Sequence, residues 1–107
     1  MRVYKVIRGR HSSAVMRSGL VYKVGRVTRP RKGWGPLAAF RTRQAARRFM
    51  EVYRYRQGYG IWQAQAEVDS KAWTVWAPDA RGRLYLSNMP EGTILCKSIR
   101  LEKEVEG

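Results

Sequence analysis

Basic side chains interleaved with aromatic ones are the groups best placed for chemistry in this chain. Arg29, Arg31 and Lys32 stand beside Trp34 in the segment RPRKGWGP. Arg43, Arg47 and Arg54 recur further on. On a helix, at roughly 100° per residue, these three fall within about 40° of one another. Arg8, followed by Arg10, ends an apolar stretch near the N-terminus. A guanidinium fork matches a pair of phosphate oxygens, and an exposed indole or phenol offers a face on which a base stacks. Thr42 immediately precedes Arg43, so a helix start there adds backbone N–H donors to the same positive field. The RPRKGWGP loop lies just before that start, and the two are expected to form one ligand pocket containing Trp34. The plainer alternatives are a solvated arginine face and a Trp34 that plugs the core.

Catalytic constellations are scarce. The only histidine, His11, and the only cysteine, Cys96, are far apart in sequence, and no nucleophile-elbow motif is present. Glu67 and Asp69 would share a strand face, as solvent-side carboxylates do. Gly33-Trp34-Gly35 lacks the GK[ST] ending of a triphosphate-binding loop. His11, Cys96, Asp69 and Asp79 have no metal-ligand spacing. The reading is a non-catalytic protein with no cofactor, no metal and no disulfide.

Charge gives the partner class. The 107 residues hold 22 Lys+Arg against 8 Asp+Glu, a net charge of +14. Residues 1–56 carry 16 of the basic groups and only Glu51 on the acidic side, while residues 57–107 are close to neutral. A field polarised in this way attracts anions. Thirteen of the 16 are arginine, which favours phosphate recognition, although a GC-rich genome would also enrich arginine. No apolar run approaches the length of a transmembrane helix, and the first residues lack the apolar core of a signal peptide. A cytoplasmic setting is expected.

The elements that must position these groups form a single domain over 1–107, of α+β class. Residues 3–8 (VYKVIR), 13–17 and 20–24 (LVYKV) read as three strands of a meander, with a turn over 9–12 and a short continuation at 27–28. Residues 29–36 form a loop, since two prolines and two glycines forbid a regular element. Residues 37–40 form a short apolar strand feeding a long helix over 40–59. There Ala46, Phe49, Met50 and Tyr53 make the apolar face, and Thr42 is the N-cap. Residues 61–68 alternate, with Trp62, Ala64, Ala66 and Val68 on the buried side, the alanines allowing the helix close approach. Residues 72–77 (AWTVWA) and 84–86 are further strands, and Trp73 is assigned to the interior. Residues 93–105 make a long last strand with Leu95, Ile99 and Leu101 on one face. The acidic tail is expected to fray. The sum is a twisted, mainly antiparallel sheet of about six strands with one long helix packed on it.

The succession VYKVIR, SAV, YKVG, PRKG, AFRT, IWQAQAEV and PEGTILCK resembles small proteins encoded by bacteriophages. More loosely, it is similar to phage anti-Thoeris sponges, which bind a cyclic ADP-ribose signal of bacterial defence. That resemblance implies a small α+β protein that oligomerises and binds ligand near subunit interfaces, acting in the host cytoplasm.

The leading expectation is therefore a non-catalytic anti-defence protein that sequesters a phosphorylated nucleotide of cyclic or ADP-ribose type. Its site is Arg8, Arg29, Arg31, Lys32, Trp34, Arg43, Arg47 and Arg54. The alternatives are binding of single-stranded DNA or RNA, and inhibition of an acidic host protein through the polarised charge.

Overall fold

The computed structural model describes residues 1–8, 20–52, 58–76 and 83–106, and the backbone of residues 11–13. In chain order the elements are β1 (Arg2–Arg8), β2 (His11–Ser13), β3 (Val27–Thr28), β4 (Leu37–Phe40), α1 (Arg43–Val52), β5 (Tyr59–Val68), β6 (Thr74–Val75), β7 (Leu84–Tyr85) and β8 (Thr93–Glu106). The class is α+β. Six strands make one antiparallel sheet, and β6 and β7 make a second.

The larger sheet closes on itself. β1 pairs with β5 from Arg2↔Gln65 to Arg8↔Tyr59, and β5 pairs with β8. β8 then pairs with β4, and β4 returns to β1 through Tyr4↔Phe40. Closure demands strong coiling, which the β5–β8 ladder supplies through register shifts at Ile61/Trp62, Gln63/Ala64 and Glu67/Val68. Cys96 shows the result: it faces Leu37 on one side and Val68 on the other.

Alternation decides what fills the ring. Val3 and Ile7 of β1 join Ala64, Ala66, Cys96, Ile99 and Leu101 inside, with Trp62 packed against them, as the period-two pattern of β5 requires. Tyr4 and Val6 face the other way, where Ala46 and Phe49 of α1 cover Val6, Phe40 and Ile61. Phe40 and Phe49 meet at 5.1 Å between ring centroids. The helix therefore does not lie on the small alanines, which are used to fill the narrow ring. A third cluster, Ala38, Val75 and Leu95, fixes the small sheet to the large one.

Lys5 shares the face of Val3 and Ile7 and is 2% exposed. Its Nζ donates to the Ala38 carbonyl and lies 5.4 Å from the centre of the Tyr22 ring. Burial pulls its pKa down to about 8, and burial pushes the neighbouring Cys96 thiol up to about 11.

Several sequence expectations need correction. The long helix is ten residues. Phe40 is spoken for by β8, pairing with Thr93, and the Arg41 N–H bonds the Gly92 carbonyl at 2.8 Å. Helix can begin only after Thr42, whose Oγ1 accepts the Ala45 N–H at 3.1 Å as an N-cap. Tyr53 and Arg54 lie outside the described residues, as do 9–10 and 14–19. Of the three-strand meander, the middle strand falls almost wholly outside the described residues, β2 (His11–Ser13) pairs with β1 in place of the expected turn over 9–12, and the third strand is not formed. Residues 20–24 hold only a lone bridge at Val21 before a turn closed by Arg26 N–H to Lys23 carbonyl, and β1 takes the distant β5 as its long partner. The expected strand over 72–77 is a two-residue strand. The tail does not fray: β8 runs to Glu106. Among the described residues no helix is long and apolar enough to cross a membrane.

Candidate nucleic-acid interface

β3 is a two-residue strand preceded by a turn and followed, two residues on, by Pro30, yet it has a definite place. The Gly25 N–H bonds the Leu101 carbonyl at 2.9 Å, Val27 faces Arg100, and Thr28 faces Ile99. Residues 25–28 therefore run along the edge of β8, which brings Arg26 and Arg29 alongside Arg100 and Lys97. All four are exposed. Beyond Pro30 the chain makes a turn closed by Trp34 N–H to Arg31 carbonyl at 2.9 Å, with Gly33 at φ 86°. A side chain at that φ is strained, so glycine suits the position. Lys32 is exposed at the tip and Trp34 is half-buried. The outcome is a cationic ridge along β3, its following loop and the adjoining edge of β8.

Five cations of the ridge lie outside the ion pairs formed among the described residues. Among the described residues the ion pairs are Arg43–Glu106, Arg47–Glu106 and Arg48–Glu91. None uses Arg26, Arg29, Lys32, Lys97 or Arg100. The carboxylate bordering the ridge is Glu102, whose Oε1 accepts from Gln63 at 3.1 Å and Gln65 at 3.3 Å. The Gln63 hydrogen bond leads in holding this carboxyl below the ordinary range, with Gln65, Arg2 and Arg100 adding to it.

An aromatic platform sits on the small sheet. Trp73 and Tyr85 stack with centroids 5.5 Å apart and planes 30° from parallel. Trp73 is 60% exposed and Tyr85 40%. Backbone bonds hold them there: Thr74 faces Tyr85, and the Leu86 N–H donates to the Trp73 carbonyl at 2.8 Å. The Thr74 hydroxyl donates to the Leu84 carbonyl at 2.9 Å. The assignment of Trp73 to the interior is thus overturned. β6 has room for only one core side chain of that face, and Val75 takes it against Ala38 and Leu95.

Ridge and platform are joined at Gly35. Its N–H bonds the Trp76 carbonyl at 2.8 Å, and the Trp76 indole fills the space a Cβ would need. Trp73 precedes Trp76 by three residues, with the two-residue β6 between them, so at most about 10 Å separates them at strand rise. Lys71 and Arg83, both exposed, flank the platform.

The residues singled out from sequence are distributed over this frame rather than gathered. Arg29, Arg31, Lys32 and Trp34 belong to the ridge. Arg8 ends β1, opposite His11 and Tyr59, on other strands. Arg43 and Arg47 are on α1, bound to Glu106. Arg54 lies outside the described residues. Trp34 and the helix start stand at opposite ends of β4, and Trp34 does not line the depression found at the start of α1. That open depression, of about 310 Å³, is lined by Arg41, Thr42, Gln44, Ala45, Arg48, Glu91 and Gly92, with no aromatic ring. Sequence reasoning missed Arg26, Lys97, Arg100 and Tyr85. The bulge near Ser98 takes Lys97 and Arg100 out of a strict alternation, and nothing local marks Tyr85 as the partner of Trp73. Among the described residues no group of three or more His, Cys, Asp or Glu is placed to hold a metal ion.

Comparison of the chain with protein-family models, with curated proteins and with solved structures gives no match in any of the three.

Proposed function

We propose that this chain binds single-stranded nucleic acid. The observation that carries the reading is the exposed Trp73–Tyr85 stack tied through Gly35–Trp76 to the exposed cations Arg26, Arg29, Lys32, Lys97 and Arg100, which enter none of the ion pairs formed among the described residues. Phosphates would lie along Arg26, Arg29, Lys97 and Arg100, releasing counterions as they bind. A base would stack on the free face of Trp73, which tolerates any sequence because every base has a π-face. A duplex keeps its base faces covered, so the platform favours single strands. The sequence supports the same reading with a net charge of +14. The test is fluorescence anisotropy of labelled single- and double-stranded oligonucleotides across a salt series. Tighter binding of the single strand, falling steeply with salt, supports the proposal. No binding at low salt removes it.

A second reading, sequestration of a phosphorylated nucleotide, is favoured by the depression at the start of α1. Its volume of about 310 Å³ suits a mononucleotide, and Arg41 and the helix N-terminus supply positive charge, while Arg48 is paired there with Glu91. The resemblance to phage sponges points the same way and would add homo-oligomerisation. Calorimetry with cyclic nucleotides and ADP-ribose, on protein of measured oligomeric state, tests it. A flat titration across the set removes it.

A further inference from the structure

The carboxylate of Glu106 is gripped by two arginines one helical turn apart. Arg43 Nε donates to Oε2 at 2.9 Å. Arg47 Nε donates to Oε1 at 3.1 Å and to Oε2 at 3.2 Å, and its Nη2 donates to Oε2 at 3.1 Å. Arg43 Nη2 is set by a further bond to the Val105 carbonyl at 2.8 Å. Both oxygens are thus met by donors aimed from one side. These hydrogen bonds, Arg47 first and Arg43 second, hold the Glu106 carboxyl below its ordinary range, so it is ionised at neutral pH.

Two converging guanidinium groups on a pair of anionic oxygens is also the arrangement that receives a phosphate. The pairs are not sealed: the arginine side chains are 45% and 52% exposed and the Glu106 side chain 29%. Exposed ion pairs are weak, because water competes for every partner. The backbone of Glu106 is held separately by pairing with Ile61, so the side chain can turn away while the strand stays in place. The molecule measures 32 × 29 × 24 Å, within reach of the strand lengths, up to roughly 16 nucleotides, that small single-strand-binding domains occupy.

We propose that Arg43 and Arg47 form a second phosphate site, filled in the free protein by the chain's own Glu106 and yielded to a backbone phosphate of bound nucleic acid. This rests on the nucleic-acid reading above. The internal carboxylate makes the site selective for length. A lone phosphate must displace Glu106 unaided. A strand already held on the ridge presents a later phosphate, about 20 Å along β8 from Arg100 at strand rise, at raised effective concentration.

The test follows the side-chain Nε–H signals of the arginines by NMR while wild-type protein is titrated with a single-stranded oligonucleotide. Anisotropy of the wild type and of Glu106→Gln runs in parallel. The expected result is that the Arg43 and Arg47 signals move with those of Arg26 and Arg100. Glu106→Gln should bind about fivefold more tightly, and adding Arg43→Ala and Arg47→Ala to that variant should abolish the gain. If Arg26 and Arg100 respond while Arg43 and Arg47 stay fixed, the second site is overturned and the nucleic-acid reading survives. If no arginine responds to the oligonucleotide, both are overturned. Glu106 also anchors the end of β8, so the wild type is titrated separately with inorganic pyrophosphate. Movement of both signals at high concentration supports the displaceable clamp without any variant, and their silence overturns it.

Discussion

Trp73 and Tyr85 stack at 5.5 Å between ring centroids, and neither is enclosed by the core. The pair is pre-formed, so a base arriving on Trp73 finds a rigid surface. Trp73→Ala is expected to weaken oligonucleotide binding by about 1–3 kcal/mol, the usual worth of a base–aromatic stack. Because the ring is 60% exposed, thermal stability should change little. Anisotropy and a melting curve on the same sample check both halves of the statement.

The ridge predicts a salt dependence. For single strands the slope of log K against log salt is about −0.7 per phosphate contacted. Removing one of Arg26, Arg29 or Arg100 as alanine should flatten the slope by roughly that amount and weaken all sequences alike.

Gly35→Ala sets a Cβ into the Trp76 indole. Either Trp76 moves or the Gly35–Trp76 backbone bond breaks. The expected cost is about 1–3 kcal/mol of stability, as for other overpacked positions. Oligonucleotide binding should weaken as well, since the joint sets the distance between ridge and platform. Urea unfolding with anisotropy separates this from a purely local effect.

Lys5 predicts a rise of stability with pH. Its folded pKa, about 8, lies below its ordinary value of 10.5. Between those values the unfolded chain holds the proton more than the folded chain does, so stability increases as pH rises through that window. The full difference is on the order of 3 kcal/mol. Cys96 opposes it above pH 9: its folded value of about 11 lies above its ordinary 9.0, so stability is lost there. The net rise should therefore be clearest between pH 8 and 9. Urea midpoints across pH 7–10 should show it in the wild type and not in Lys5→Met.

The alternating segments were legible because alternation needs no distant information. In β5 the buried Ala64 and Ala66 and the outward Gln63 and Gln65 fall where period two places them. The extent of β8 and the N-cap at Thr42 were readable for similar local reasons. Pairings set by long-range closure were not. Phe40 carries a helix-compatible sequence, yet β8 claims it 53 residues later. Trp73 matches a core pattern, but its place depends on Tyr85, 12 residues later in the sequence. Residues 29–36 hold no regular element, as their prolines and glycines require. Their neighbours Lys97 and Arg100 belong to a strand whose bulges shift the register, so no reading of one segment alone brings them to the loop.

β8 is made after every strand with which it pairs. Until residues 93–106 leave the ribosome, the circuit from β1 through β5 and back through β4 has no fourth side. During that interval the chain already carries its strongly positive first half without the strand that completes the core. A chain cut short before residue 93 would keep that charge and lose the common pairing partner of β3, β4 and β5.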